Sequence, residues 1–241
     1  MKKANKRDSQ NLVNISYCMT GKMTNILSLS TNVKKNTRCM HRHACASTIC
    51  AHCFAIKTVN SYDSLHRNLN ANTEILANRY LTHSEYSAIA YEIVKACIKN
   101  NTNKFRFESF GDLNNEIQAK NYLNICVAIN YWTNELNYKV NCALWTKNID
   151  YLVKAFATFD DLTKQEIRNV LNILISSTFV GIPVSDGFIR KTENALNMPI
   201  GVFTVEKTEN GKTNCGARDC DKCGLCYRKF TETTRVFEVL K

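Results

Sequence analysis

Proline and glycine are scarce, at 2 and 8 residues in a chain of 241. So low a content excludes a collagen-like, low-complexity or linker-rich protein. No apolar run follows the polar opening MKKANKRDSQ, and none elsewhere reaches membrane-spanning length. The sequence therefore predicts neither a signal peptide nor a transmembrane segment. With them absent, it predicts a reducing cytoplasm, where cysteines stay free or bind metal. No Ser-His-Asp order, phosphate-cradling glycine loop or HExxH signature stands out. The commonest hydrolytic and nucleotide-binding chemistries are thus left without a motif.

What the chain does have is length, positive charge and sulfur. A chain of 241 residues suits one sizeable domain with a small appendage, and it can bury a core without disulfides. The expected organisation is an irregular lead-in over 1–23, an α/β domain over 24–210, and a cysteine-rich closing segment over 211–241. The formal charge of +11 favours acidic partners, nucleic acid above all, and a plain solvated basic surface is the alternative. Two four-thiolate metal sites would each add about −2, which leaves roughly +7.

The 12 cysteines are not spread evenly. Cys39, Cys45, Cys50 and Cys53 form one group, with Cys45-x4-Cys50-x2-Cys53 as its tightest part. Cys215, Cys220, Cys223 and Cys226 form the other, around Cys220-x2-Cys223-x2-Cys226. Cys-x2-Cys turns aim sulfurs at one point, and the double repeat is the spacing of ferredoxin-type cubane clusters. Zinc more often takes two separated knuckles, so the C-terminal run favours iron–sulfur, with zinc as the alternative. His41, His43 and His52 can supply zinc ligands to the first group or simply face solvent. Cys97, Cys126 and Cys142 fall on apolar faces and are assigned to the core. Cys18 has no assignment.

Hydrophobic periodicity predicts alternating strands and helices. Strands are expected at Thr24–Ser30, from Lys104 to Gly111, and at Lys139–Trp145, Leu171–Ser176, Val202–Val205 and Arg235–Leu240. Helices are expected where Tyr62, Leu65, Leu69, Leu76 and Tyr80 recur at near-helical spacing, from Ser84 as a cap, and around Ile117–Ile129 and Ile149–Phe156. Thr163 with Glu166 reads as a capping box. The fold class is α/β, a partial parallel (β/α) barrel of about six strands with cysteine-rich metal loops near both ends. A doubly wound sheet is the alternative.

The ordered set RCMHRHACASTICAHCFA, HRNLNAN, FRFESFGDL, ALWTK, ILISS and CGARDCDKCGLC resembles the phage family known as gene product eighty-eight. The likeness spans most of the chain, roughly from Thr24 to Arg228, and implies a phage protein working in a host cytoplasm. More distantly, the pattern is similar to the radical S-adenosylmethionine enzymes. Those place three cysteines after the first strand of a partial β/α barrel, and many add a late auxiliary cluster. That resemblance implies one or two 4Fe-4S clusters, S-adenosylmethionine as a cofactor, and an electron donor. The usual Cys-x3-Cys-x2-Cys is here one residue longer, and Cys39 stands near enough to be a fourth ligand. Three thiolates leave one iron open to a ligand, whereas four cap every iron.

Ligands of parallel sheets collect at the carboxyl ends of the strands. Candidate cofactor-binding residues are therefore Ser109, Gly111 and Asp112 in FESFGD, and Lys147 in WTK. Glu108 and Asp112 can accept hydrogen bonds from a ribose or ammonium group. Gly111 can admit a ligand to the backbone, and Lys147 can hold a carboxylate or phosphate. Asp112 is alternatively a helix cap, and Lys147 a surface lysine. The expected function is that of a redox-active iron–sulfur protein, radical-S-adenosylmethionine-like if catalytic, with a nucleotide or nucleic-acid substrate. The alternatives are a zinc-bearing nucleic-acid-binding protein without catalysis and a structural iron–sulfur domain.

Overall fold

Side-chain alternation along the strands decides which face of the sheet meets the helices. A computed structural model describes residues 12–19, 21–207, 213–215 and 219–239. The opening MKKANKRDSQ, Gly216 to Arg218 and Leu240 lie outside the described residues. The chain runs β1 (Ser16–Tyr17), β2 (Leu27–Leu29), α1 (Thr37–His43), α2 (Phe54–Ser61), α3 (Asp63–Leu76) and α4 (His83–Lys99). It continues as β3 (Lys104–Phe107), α5 (Glu116–Glu135), β4 (Asn141–Thr146), α6 (Ile149–Ala157), α7 (Asp161–Val170) and β5 (Leu171–Ser176). It ends as α8 (Asp186–Leu196), β6 (Gly201–Glu206), α9 (Cys220–Cys223) and β7 (Thr234–Val239).

These strands form a 7-stranded sheet in the order β1-β2-β3-β4-β5-β6-β7. β1 is antiparallel to β2, and every later pairing is parallel. The sheet is not closed into a barrel, because β1 and β7 stand at opposite edges. Strand order never reverses, so the doubly wound alternative, which needs a switch point, does not apply. No helix among the described residues is long and apolar enough to cross a membrane.

One face of the sheet presents Leu27, Leu29, Phe105, Phe107, Cys142, Leu144, Ile173, Ile175 and Val202 to α4–α8 in the main core. Cys97 and Cys126 are buried in that core beside Cys142. The other face presents Ile26, Ala143, Leu174 and Val236, and here the cover is the C-terminal segment with Cys226, Tyr227 and Phe230. Asn172 on β5 fastens that cover by donating to the carbonyls of Cys226 (3.1 Å) and Arg228 (2.7 Å). Burying each large apolar side chain of this kind contributes about 2 kcal/mol.

Several boundaries differ from the sequence expectation for local reasons. Thr82, not Ser84, caps α4, in a capping box with Glu85. Asp160, not Thr163, caps α7, since its carboxylate accepts from Thr163 N. β3 stops at Phe107 rather than Gly111, because Glu108 takes a left-handed φ of 58°. α8 was not anticipated, since its buried positions are only Ile189, Thr192 and Leu196. The first cysteine group is not a plain loop, because Asn36 caps α1 through Cys39 N at 3.0 Å.

Gly201 lies where the cover meets the sheet. A Cβ there would stand 2.7 Å from Leu174 Cγ and 3.1 Å from Phe230 Cε2. Gly201→Ala is expected to destabilise the fold by about 1–3 kcal/mol through overpacking, read as a lower urea midpoint. An unchanged midpoint would show that the cover is not packed as described.

Candidate functional site

Between the sheet and its cysteine-bearing cover lies a cavity of about 930 Å³. Its walls include Cys18, Cys215, Cys220, Cys223 and Cys226 on one side and Cys39, Cys50 and Cys53 on another. Two segments far apart in sequence thus bring their sulfurs to one space. Cys45 is the exception: its thiol is exposed, lies 3.2 Å from Ser47 Oγ, and is absent from the cavity wall.

The C-terminal thiols are close enough to feel one another. Burial pushes the Cys226 thiol up to about 12 and Cys220 up to about 11, and negative charge on the neighbouring sulfurs adds to both shifts. Their backbone is anchored from below, where Cys220 N donates to Lys22 O at 2.8 Å. Two cations face the group. Lys22 Nζ lies 3.1 Å from Cys215 Sγ and pairs with Glu238. Burial lowers the Lys22 pKa, but the bonds to Glu238 and Cys215 outweigh it and the net shift is upward.

Arg106 is the second cation and the less expected one. It lies on β3 between Phe105 and Phe107, so the pleat turns it into the cavity while both rings enter the helical core. Its guanidinium stacks on Trp145 at 3.4 Å from the ring centroid, and Nη1 reaches only Met23 Sδ. Nε is buried without a partner, and among the described residues no carboxylate pairs with Arg106. Burial pulls its pKa down, while Tyr227, Cys220, Cys226 and the Glu238 carboxylate oppose the shift. Arg106 is half-buried, and a cation–π stack of about 0.5–2 kcal/mol offsets part of what its charge loses on leaving water. An anion about 4 Å away would contribute about 4 kcal/mol at an effective dielectric of 20, so the site calls for one.

Ser109, Trp145 and Tyr227 also belong to the cavity wall, and their polar atoms Ser109 Oγ, Trp145 Nε1 and Tyr227 Oη are buried within it without hydrogen-bond partners.

The carboxyl ends of the strands form the opposite wall, and here the predicted cofactor residues come together: Ser109, Gly111, Asp112 and Lys147 all line the cavity. Asp112 does not cap α5, whose cap is Asn115. Its carboxylate instead accepts from Thr146 Oγ1 (2.5 Å), Lys147 N (3.0 Å) and Arg42 Nη2 (3.2 Å). It therefore locks β4 to α1, and α1 carries Cys39. Gly111 makes room for a protein group, since a Cβ there would stand 2.4 Å from Glu108 Oε2. Of the histidines, His52 lines the cavity, His43 Nδ1 lies 2.8 Å from Cys50 O, and His41 is exposed.

Glu108 is buried and held by Tyr122 Oη (2.5 Å), Gln118 Nε2 (2.5 Å), Thr31 Oγ1 (3.0 Å) and Thr31 N (3.2 Å). Burial pushes its carboxyl up to about 7, against the hydrogen bonds from Tyr122 and Thr31. It can therefore hold or release a proton near neutral pH.

Among the described residues, no three His, Cys, Asp or Glu side chains are drawn in to a finished metal-binding arrangement. The donor chemistry nevertheless fits a soft metal: Cys215, Cys220, Cys223 and Cys226 share the cavity lining with the cations Lys22 and Arg106, while the carboxylates Glu108 and Asp112, which also line it, are taken up by bonds within the protein. No family model, curated protein or solved structure matches the chain. The fold and site together define an α/β protein with a predominantly parallel sheet and a cysteine-lined cavity.

The Glu108 shift has a definite sign. Between its ordinary 4.5 and about 7, the folded chain keeps a proton that the unfolded chain has released. Its contribution is present below pH 4.5 and is lost as pH rises through 7, by about 3 kcal/mol in all. Glu108→Gln is expected to flatten the decline in unfolding free energy between pH 5 and 7.5. An equally steep decline in the variant would assign the slope to another group.

Proposed function

We propose that the chain is a redox-active iron–sulfur protein. In this reading Cys215, Cys220, Cys223 and Cys226 hold one cluster, and Cys39, Cys50 and Cys53 serve a second metal position across the same cavity. The single observation that carries the reading is the Arg106 guanidinium, without an ion-pair carboxylate among the described residues, on the wall of the same cavity that Cys215, Cys220, Cys223 and Cys226 line. A four-thiolate metal centre carries net negative charge, and that is the missing counter-ion. Cysteines are deprotonated when they ligate, so the raised pKa values of the buried thiols mean that binding releases protons. Among soft metals, zinc would satisfy the same four thiols; the Cys-x2-Cys-x2-Cys spacing favours iron–sulfur.

The finer reading is radical-S-adenosylmethionine-like. Cys39, Cys50 and Cys53 on the cavity, with Cys39 in place of the Cys45 of the radical-S-adenosylmethionine-like spacing, would suit a cluster with one iron left accessible. Such a centre would supply one-electron chemistry to a small molecule bound beside it. Around it, this chain's own residues have separable tasks. The Asp112–Arg42 pair fixes α1, Lys147 offers a cation for an anionic group, and Glu108 holds a proton at the carboxyl end of β3.

Cys223→Ala and Cys50→Ala are expected to lose the metal of their own site, which would be about half of the total iron in each. Cys126→Ala, in the helical core, should keep all of it and cost about 1 kcal/mol of packing. Cys45→Ala should also keep its iron, whereas Cys39→Ala should not. Iron, sulfide and zinc quantitation after anaerobic purification reads all five. Full iron in Cys223→Ala, or zinc in place of iron and sulfide, would overturn the proposal.

A further inference from the structure

We propose that a basic recess at the amino ends of β3 and β4 is the docking site of an acidic protein that carries single electrons. This rests on the iron–sulfur reading above. The recess has a volume of about 440 Å³ and lies outside the cavity already described. Lys104, Lys139, Lys222, Arg228 and Lys229 line it, against one carboxylate, Asp221. Lys104 already neutralises that carboxylate, at 2.6 Å. Among the described residues Lys139, Arg228 and Lys229 pair with no carboxylate, and all three are exposed. Asp219 lies 4.0 Å from Lys222, so among the described residues both nearby carboxylates are already paired, and the recess presents the positive charge of Lys139, Arg228 and Lys229.

A second observation says what the charge is for. Cys223, Gly224 and Tyr227 line both the recess and the cysteine cavity. The two spaces are therefore separated by the thickness of a single turn of chain. Gly224 takes a left-handed φ of 61°, and Arg228 Nη2 donates to Cys223 O at 3.1 Å, which pins that turn in place. A carrier seated on the recess would stand one turn from the thiols. If Cys215, Cys220, Cys223 and Cys226 hold the proposed cluster, one electron would pass to it from the carrier, which would be oxidised by one unit, and no bond would be made or broken.

The alternative occupant, nucleic acid, fits less well. Single strands are gripped by exposed aromatic platforms as well as by cations. The only aromatic residue lining the recess is Tyr227, and it is buried. The position also separates traffic. The recess lies at the amino ends of the strands, while Ser109, Asp112 and Lys147 stand at the carboxyl ends, so a docked carrier leaves the ligand side clear.

The test uses the iron-loaded full chain, an acidic flavodoxin as the probe carrier, and Lys139→Glu/Lys229→Glu as the variant. Flavodoxin affinity is expected to fall at least about tenfold in the variant and to weaken with salt in the wild type. Reduction by flavodoxin should slow in parallel, while reduction by dithionite, too small to need docking, should stay within about twofold. Lys154→Glu/Lys191→Glu, on exposed positions of α6 and α8, is the charge-matched control and should bind as the wild type does. Wild-type binding and reduction by the recess variant would overturn the proposal. So would a variant that loses affinity for a single-stranded oligonucleotide but not for flavodoxin. Absence of iron and sulfide from the wild type would overturn the underlying reading separately, before any docking is measured.

Discussion

The arrangement of the interior depends on one electrostatic constraint: among the described residues, no carboxylate forms an ion pair with Arg106, and Glu238, already paired with Lys22, acts on it only from a distance. Stacking on Trp145 orients the guanidinium, but the stack offsets only part of the desolvation cost. The groups placed to complete the balance are sulfurs. Cys215, Cys220 and Cys226 lie on the cover that closes over Arg106, and Lys22 approaches the same group from the β1–β2 side. Two cations and four thiols in one place make sense together if the thiols are charged. Buried thiols stay charged when metal holds them.

The same sheet serves two purposes because its two faces are covered differently. Helices α4–α8 seal one face with an apolar core and supply the cohesion. The other face is covered by a short segment with little helix, which packs through Cys226, Tyr227 and Phe230 and leaves an internal space. A cover of thiols and backbone turns contributes less apolar burial than a helix would. Its attachment therefore relies on specific bonds, from Asn172, Lys22 and Lys104. Bound metal would add to that attachment, since binding to the folded form alone stabilises it.

Much of this was legible in the sequence because strands and helices announce themselves by period. The α/β class, the strand at Leu171–Ser176 and the core placement of Cys97, Cys126 and Cys142 follow from alternation and apolar faces. The gathering of Ser109, Gly111, Asp112 and Lys147 on one cavity followed from the rule that ligands meet at strand carboxyl ends. Arg106 was missed for a physical reason. An Arg between two phenylalanines reads as the solvent side of a half-buried strand, and only the later chain turns that side into an interior. Cys18 and Tyr227 were illegible likewise, since neither has local spacing that marks a cavity wall. Glu108 reads as the next polar position of a strand, and its hydrogen bonds come from Thr31, Gln118 and Tyr122, none of them a sequence neighbour.

The most direct test of the central claim is an anaerobic crystal structure with anomalous scattering recorded at the iron edge. The account predicts a strong iron peak enclosed by Cys215, Cys220, Cys223 and Cys226 and facing the Arg106 guanidinium. Those four sulfurs joined to one another as disulfides, or an anomalous map with no peak on that wall, would contradict it.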